Sequence, residues 1–445
     1  MRTRFLLLVV PLLTVAIVAL GLRTGAKDEV DAAIVHGAPL PRGGDRLAWT
    51  LSTFREASGV REVISTPWHA TFRSKGTSVT LRGVTNEDGA SELAVALPGL
   101  RQGDPLDVDV QDESGSVLVA GPVAWGEATR TEERELVHAT LREGDLDVSI
   151  AVWGARLATA HEGVLWIRAD DHVSAKPAHI ARVEVEPDAA LTVVDPFRAA
   201  CTDVIGTMRV IANMHVASID LRVTDDHGRT GRFYGSLPIA PGALWTDLDP
   251  RSPPGPLTFT ITAPNARKLA YLEIHDDAGR LYGAEVALAS DARDPFPHAT
   301  VTTPALAPGL HWVVLSGEPD GAEKLGGATR ALPLRVGAPA ECDEPFAGRT
   351  PTSLPRFVAL DGFARARIPA QARKATGRKI ILGAVSSGLG LELLLLAAVL
   401  RRRPELEGEQ KKVLTGSRAL DAIVLLLLSA LGFLLLFALL ESQTR

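Results

Sequence analysis

Short stretches in which apolar and polar residues alternate recur along the middle of the chain. Val79–Leu81 and Leu106–Val110 are two of them, and Leu93–Leu97 is a short apolar run of strand length. A period of two residues is typical of strands that bury one face and expose the other. Turn sequences rich in Asp, Asn and Gly separate these stretches, so the pattern predicts a mainly β fold built from hairpins.

Four copies of one turn type stand out, each with acidic or Asx residues followed by a glycine. The glycines are Gly89, Gly115, Gly228 and Gly279. An Asx side chain would start each turn, and the glycine would take the left-handed position that closes it. The repetition predicts β-sandwich units of about a hundred residues. Calcium loops are a poorer interpretation, because the alternating ligands and distal glutamate of an EF-type loop are missing.

Three longer apolar runs lie near the ends of the chain. They are Phe5–Leu22, Ile380–Leu400 and Ala419–Leu440, and each has about the length that a helix needs to cross a bilayer. The first follows Arg2 and Arg4, as in a signal anchor or signal peptide. The other two would form a hairpin around a basic loop. The sequence therefore predicts three transmembrane helices.

The flanking Lys and Arg residues do not decide the orientation, because they are balanced between the two sides of the predicted membrane. The signal-like start would carry the region that follows it across the membrane. We therefore expect the cytoplasmic (inner) membrane as the location, with the large domain extracytoplasmic.

The predicted fold class is mainly β, with tandem immunoglobulin-like β-sandwich domains plus one N-terminal transmembrane helix and two more in a C-terminal hairpin. Asp249–Pro256 is the clearest internal boundary, because its prolines rule out a regular element. The predicted segments are a signal anchor or signal peptide at 1–27, sandwiches at 28–127, 128–250 and 251–338, a stalk at 339–379, a transmembrane helix at 380–400, a basic cytoplasmic loop at 401–418 and a transmembrane helix at 419–440.

Composition narrows the possible partners and the redox chemistry. The net charge is −6, and no basic stripe with interleaved aromatic residues occurs, which argues against a nucleic-acid partner. Cys201 and Cys342 are the only cysteines. Outside the cytoplasm they could form one disulfide, and two buried free thiols are the alternative. Neither belongs to a Cys-x-x-Cys pair, which argues against a metal or redox role.

Short catalytic motifs are missing from the chain. It has no His-Glu-x-x-His, no Gly-x-Ser-x-Gly and no phosphate-binding glycine loop. Asp170–His172 and Asp225–His227 contain metal-ligating residue types, but neighbours on a strand point to opposite faces. We interpret both as solvated loops and expect no catalytic residue, metal or cofactor. A hydrolase whose site is assembled from distant residues stays open as an alternative.

Glu392 lies inside the second apolar run, where an ionised carboxylate would be costly. Gly383, Ser387 and Gly388 on the same run are small enough for close helix contact. One interpretation is a protonated glutamate that hydrogen-bonds a neighbouring helix at Ser429. The other is a carboxylate that senses a proton or a partner.

The stretch Leu81–Leu93, followed by the strand end Leu97–Gly99, resembles the macroglobulin-like and related immunoglobulin-like β-sandwich modules of bacterial envelope proteins. Val223–Tyr234 is similar, more loosely. The motif is generic to sandwich hairpins, so the resemblance implies the fold rather than an activity. Thioester macroglobulins carry Cys-Gly-Glu-Gln, and neither Cys201 nor Cys342 is followed by Gly-Glu-Gln, so their covalent chemistry is not implied.

Together these patterns predict a non-enzymatic, membrane-anchored extracytoplasmic protein that serves as a binding, scaffold or interaction module in the cell envelope. Its expected partners are the membrane and another envelope protein or polymer. The alternative is a subunit of a membrane export or surface-assembly complex that works through the C-terminal helical hairpin.

Overall fold

The computed structural model describes residues 2–25, 29–41, 43–57, 59–125, 130–133, 136–201, 204–291, 294–319, 321, 325, 328–337, 349–354, 357–401, 429, 432 and 433. The chain divides into two compact units. One comprises Val30–Ala366 and contains every described strand. The other comprises Met1–Glu29 with Arg367–Arg445 and is helical where it is described.

The first sandwich forms because alternate residues of its strands are apolar. On the strand Pro67–Ser74, the side chains of Trp68, Ala70 and Phe72 are buried. They meet Trp49 and its neighbours from the facing sheet in one core. The strands are β1 (Val30–Gly37), β2 (Arg46–Ala57), β3 (Val60–Val63), β4 (Pro67–Ser74), β5 (Thr77–Val84), β6 (Ala90–Ala96), β7 (Asp107–Asp112) and β8 (Val117–Pro122). One sheet has the order β5-β4-β7-β8, and in the other β2 lies between β1 on one side and β3 and β6 on the other.

The second sandwich follows a short strand, β9 (Arg130–Glu133). Its own strands are β10 (Ala139–Gly144), β11 (Leu146–Val152), β12 (Leu157–Ala158), β13 (Glu162–Asp171), β14 (Ile180–Val185), β15 (Leu191–Cys201), β16 (Ile205–Ala212), β17 (Ser218–Asp225), β18 (Thr230–Ser236) and β19 (Ile239–Ala240). The sheets β10-β18-β17-β14 and β11-β13-β16-β15 enclose an aliphatic core around Ile150, Ile167, Val210 and Phe233.

The third sandwich shares its core with the outer face of the second. Its strands are β20 (Trp245–Thr246), β21 (Arg251–Ser252), β22 (Thr258–Thr262), β23 (Leu269–His275), β24 (Arg280–Ala287), β25 (His298–Thr302), β26 (Gly309–Ser316) and β27 (Arg330–Val336). They form the sheets β20-β22-β25 and β21-β27-β26-β23-β24. Trp153 and Trp166 of the second sandwich belong to the same apolar cluster as Leu272 and Leu334 of the third.

The chain then returns to its beginning. β28 (Arg349–Ser353) pairs with β9, and β29 (Phe357–Asp361) pairs antiparallel with β1 and so extends the first sandwich. The segment 339–379, which we expected to serve as a stalk, therefore contains two paired strands. The domain boundaries given above otherwise stay predictions.

The helical unit contains α1 (Arg2–Gly25) and most of α2 (Phe363–Arg401). The two helices approach closely at small residues. A Cβ atom on Gly388 would lie 2.4 Å from Thr14 Oγ1, and one on Gly21 would lie 2.8 Å from Ile381 Cγ1. Gly388 is thus one of the small residues that permit close helix contact, as the sequence indicated.

The prediction of three transmembrane helices was wrong. In the residues that the structure describes, neither helix combines the length and the apolar character needed to cross a bilayer. The apolar run at 380–400 is part of a longer helix, α2, whose preceding turns are basic. The inner-membrane location rested on these helices and was wrong with them. The predicted loop at 401–418 and the span at 419–440 lie outside the described residues, apart from Arg401, Ser429, Gly432 and Phe433.

Candidate functional site

The most elaborate polar site lies where the first and third sandwiches meet, around Arg280 at the start of β24. Its side chain is only 1 % exposed. Nη1 and Nη2 donate to the two carboxylate oxygens of Glu92 on β6, at 2.8 and 2.9 Å. Nη1 also donates to the carbonyl oxygen of Ala48 at 3.1 Å. A guanidinium of the third sandwich is thus held in a bidentate ion pair by the first.

A second carboxylate completes the cluster from β23. Glu273 Oε2 lies 3.0 Å from Arg280 Nε and 2.9 Å from His275 Nε2. Tyr271, Glu273 and His275 alternate along β23 on the face opposite to the apolar core, and all three are buried. The first sandwich covers this polar face, which a sequence pattern alone would assign to solvent.

Electrostatics of the junction follow from burial and close charges. Burial alone would lower the pKa of Arg280, but Glu273 and Glu92 outweigh it and hold that pKa above its usual value. Burial is the main cause of the raised pKa of Glu285, and the nearby carboxylates of Glu92 and Asp88 add to it. Burial likewise raises the pKa of Tyr271. Arg280 therefore stays charged and Tyr271 stays protonated at neutral pH.

One of the predicted hairpin turns forms the rim of this junction. Asn86 Oδ1 accepts the amide N–H groups of Asp88 and Ala90 at 2.9 and 3.0 Å, which builds the expected Asx turn, and Gly89 has a φ of +66°. Tyr271 Oη donates to Asp88 Oδ2 at 2.8 Å and accepts from Asn86 Nδ2 at 2.9 Å. The turn therefore also binds the third sandwich.

The other three turn glycines have different surroundings. Gly115 and Gly228 have φ values of +80° and +75°, and a Cβ atom on either would meet nothing within 4 Å. Gly279 is not left-handed. Instead, a Cβ atom there would lie 2.1 Å from the carbonyl oxygen of Pro39. Gly279 is thus needed for close approach of the first sandwich, which the sequence could not indicate.

A second buried guanidinium lies between the second and third sandwiches. Arg330 is 3 % exposed, and its Nη atoms reach the carbonyl oxygens of Leu244 and Trp153 only at 3.4 Å. Burial lowers its pKa to about 10. His161 stacks on Trp245 with the ring centroids 5.2 Å apart, and burial also lowers the pKa of His161. This junction is mainly apolar, in contrast to the first.

The two Asp-Asp-His stretches come together at one end of the second sandwich. Arg229 pairs with both Asp171 and Asp225. Hydrogen bonds from Ser174 and the charge of Arg229 lower the pKa of Asp171 to about 2. Among the described residues, the group with metal-ligand spacing is Asp225, Asp226 and His227.

Asp225 of that group is already engaged. It is 3 % exposed, and its carboxylate accepts the amide N–H groups of His227 and Arg229 as well as the Arg229 side chain. Asp226 and His227 are exposed, as expected of a solvated loop, whereas the burial of Asp225 was not expected. The carboxylate of Asp225 therefore serves the turn itself.

The structure describes only some of the remaining predicted positions. Cys201 ends β15, but Cys342 lies outside the described residues, so their disulfide stays a prediction. Glu392 lies on α2, and Ser429 Oγ donates a hydrogen bond to its Oε2 at 2.7 Å. This contact agrees with the first of the two interpretations given above, and the role of Glu392 stays a prediction.

Comparison with known proteins gives matches to solved structures. No family model and no curated protein matches the chain. The native conformation of E. coli alpha-2-macroglobulin matches with a TM-score of 0.19 and 10% identity, over 71% of this chain and 23% of that chain. Invasin, a bacterial integrin-binding protein, matches with a TM-score of 0.17 and 10% identity, over 69% of this chain and 60% of that chain.

FdeC, an Escherichia coli adhesin, matches with a TM-score of 0.18 and 13% identity, over 70% of this chain and 98% of that chain. A macroglobulin, a bacterial integrin-binding protein and an adhesin are therefore among the structures similar to this chain, and the chain spans 23% of the macroglobulin and 60% of invasin. TM-scores this low carry no argument about function, which must come from the geometry.

Proposed function

We propose that Val30–Ala366 is a non-catalytic interaction module in which the first and third sandwiches are held in one arrangement to bind another protein or a polymer of the cell envelope. The observation that carries the proposal is the buried ion pair between Arg280 and Glu92. It joins two sandwiches that are separated in the chain by a whole further domain.

The chemistry of this junction suits positioning better than catalysis. Glu92 and Glu273 both bind Arg280, so their carboxylates are engaged within the protein. Buried ion pairs contribute less to net stability than their contacts suggest, and in some proteins buried polar or ionic groups specify one geometry over others. A binding surface that spans two sandwiches gains affinity when their orientation is fixed before the partner arrives.

The proposal is tested by in-cell cross-linking of the tagged full-length chain, followed by mass spectrometry of the captured partners. Arg280→Met should lower the yield of partners cross-linked to the sandwich surfaces by about tenfold, equivalent to ~1.4 kcal/mol of binding. Arg55→Met is the matched control, because Arg55 forms an exposed ion pair with Asp31 on the first sandwich.

Two results would contradict the proposal. One is an undiminished yield of the same partners from the folded Arg280→Met protein. The other is specific labelling of a nucleophile in the full-length chain by activity-based probes, which would indicate the hydrolase that the sequence left open.

A further inference from the structure

Strand β5 is a long free edge of the first sandwich. It pairs with β4 over all eight residues, from Thr77 to Val84, without a register shift. Several other edge strands carry features that discourage pairing with another chain. β3 has only four residues, and β10, β14 and β15 each contain at least one register shift. β5 has none of these features and only one charged residue, Arg82.

The turn before β5 determines which backbone groups are free. Lys75 and Gly76 have φ values of +48° and +80°, as in a two-residue type I′ turn. The closing pair Ser74–Thr77 is then hydrogen-bonded, and hydrogen-bonded pairs alternate with open pairs along the hairpin. Thr77, Val79, Leu81 and Gly83 therefore bond to β4. The N–H and C=O groups of Ser78, Thr80 and Arg82 point away from it.

These outward groups have no other partner in the described part of the chain. Outside the hairpin, no hydrogen bond engages the backbone of Ser78, Thr80 or Arg82. All three residues are exposed. Three successive outward-pointing residues on a strand without a register shift form a template for one more antiparallel strand.

Two symmetric registers pair two copies of β5 antiparallel through their outward groups over seven residues, one with Thr80 opposite Thr80 and one with Leu81 opposite Leu81. The Leu81 register places Ser78 against Val84, whereas in the Thr80 register the outward groups of Ser78, Thr80 and Arg82 all belong to pairs of polar residues, so the sequence favours the Thr80 register. Ser78 then faces Arg82 and Val79 faces Leu81, each from the other copy. A threonine pair and an aliphatic pair are favourable cross-strand neighbours. The two arginines are not opposite each other, so like charges do not meet.

The second copy would also cover apolar surface. Val79 and Leu81 pack at the margin of the first core and are only partly buried. In the register with Thr80 opposite Thr80, Val79 of each copy meets Leu81 of the other copy, on the core face of both sheets. An unrelated strand would need the same alternation of polar and aliphatic residues as β5 to make these contacts. A second copy of the chain has that alternation because its β5 has the same sequence.

We propose that β5 is a self-association edge, at which two copies of the chain pair antiparallel with Thr80 opposite Thr80. The inference is independent of the junction around Arg280. A single strand pair is smaller than a standard interface of about 800 Å² per partner, so we expect association in the micromolar range.

The test uses two differently tagged full-length chains and measures how much of one co-purifies with the other. Thr80→Lys should reduce self-capture at least about tenfold, because two lysines would face each other. Thr80→Glu should do the same. Mixing the Lys variant with the Glu variant should restore capture to the wild-type level or above, because opposite charges then meet at the symmetric position.

Thr258→Lys is the matched control. Like Thr80, whose hydroxyl bonds Thr71, Thr258 is an exposed strand threonine whose hydroxyl bonds a cross-strand threonine, Thr302, but it lies on β22 of the third sandwich rather than on β5. This variant should capture like wild type, and all variants should have unchanged circular dichroism. A wild-type chain that stays monomeric in sedimentation at micromolar concentrations would overturn the proposal. So would a Lys and Glu mixture that fails to restore capture.

Discussion

At the scale of single residues, the junction depends on Arg280. A guanidinium that is 1 % exposed is tolerable only because Glu92 and Glu273 contact it and the carbonyl oxygen of Ala48 accepts a further hydrogen bond. Removing Arg280 takes the guanidinium away from both Glu92 and Glu273 inside the protein. The effect of such a change therefore exceeds the net stabilisation that the intact cluster provides.

Arg280→Met is expected to lower the free energy of unfolding by about 3–5 kcal/mol, the cost of breaking a buried ion pair. Urea denaturation followed by tryptophan fluorescence measures it. Arg55→Met removes an ion pair in which Arg55 is 45% exposed, and it should cost less than about 1 kcal/mol. Equal losses in the two variants would show that burial of Arg280 contributes nothing to stability.

The sequence alone did not reveal this cluster, and the reason is physical. Tyr271, Glu273 and His275 alternate with apolar residues, and this is the same pattern that a solvent-exposed strand face gives. Only the arrival of another sandwich buries them. The Asx turns were predictable because they depend on residues next to each other, such as Asn86 and Gly89.

At the scale of elements, the four turn glycines divide into two physical classes. Gly228 is required by its backbone conformation, with φ at +75° and open space around it. Gly279 is required by the closeness of Pro39. Asparagine adopts the left-handed conformation more readily than alanine but is larger, so it distinguishes the two classes.

Gly228→Ala should lower stability by about 1–2 kcal/mol, and Gly228→Asn should recover much of that loss. Gly279→Ala should cost more than about 2 kcal/mol, because its Cβ atom would overlap a backbone oxygen of the first sandwich, and Gly279→Asn should be no better. Thermal denaturation of the four variants provides the comparison. Rescue of Gly279 by asparagine would refute the close-approach explanation.

Strand β29 pairs with a strand that is distant in the chain. Its residues alternate as in other strands, yet its partner β1 lies at the far end of the β unit. A short stretch of sequence does not indicate which distant strand it pairs with, and the sequence therefore predicted a stalk in this region. The hairpins of the first sandwich were easier to predict, because turn and strands lie in one continuous stretch.

Ala359→Asp should destabilise the first sandwich by about 3 kcal/mol, because Ala359 is 3% exposed within its core and a carboxylate there would be buried. Val358→Asp is the control on the same strand, since Val358 is 49% exposed, and it should be nearly neutral. Hydrogen exchange of the β1 amides reports the difference. Equal protection of β1 in both variants would contradict the pairing of β29 as a structural element.

At the scale of the whole molecule, the mainly β character that the sequence predicted is confirmed, but the β unit is not a simple string of domains. The second and third sandwiches share an apolar core, and the third also binds the first through a buried polar cluster. Composition and periodicity indicate how many sandwiches a chain can form, but the contacts between them depend on surfaces that only the folded domains create.

The central claim is that the first and third sandwiches keep one arrangement, and distance measurements between them test it most directly. Spin labels at exposed Ser114 and Thr300, attached through a non-natural amino acid, leave the cysteines of the full-length chain unlabelled. Pulsed electron paramagnetic resonance should give one narrow distance distribution, which Arg280→Met broadens. A broad distance distribution in the spin-labelled protein that retains Arg280 would contradict the account.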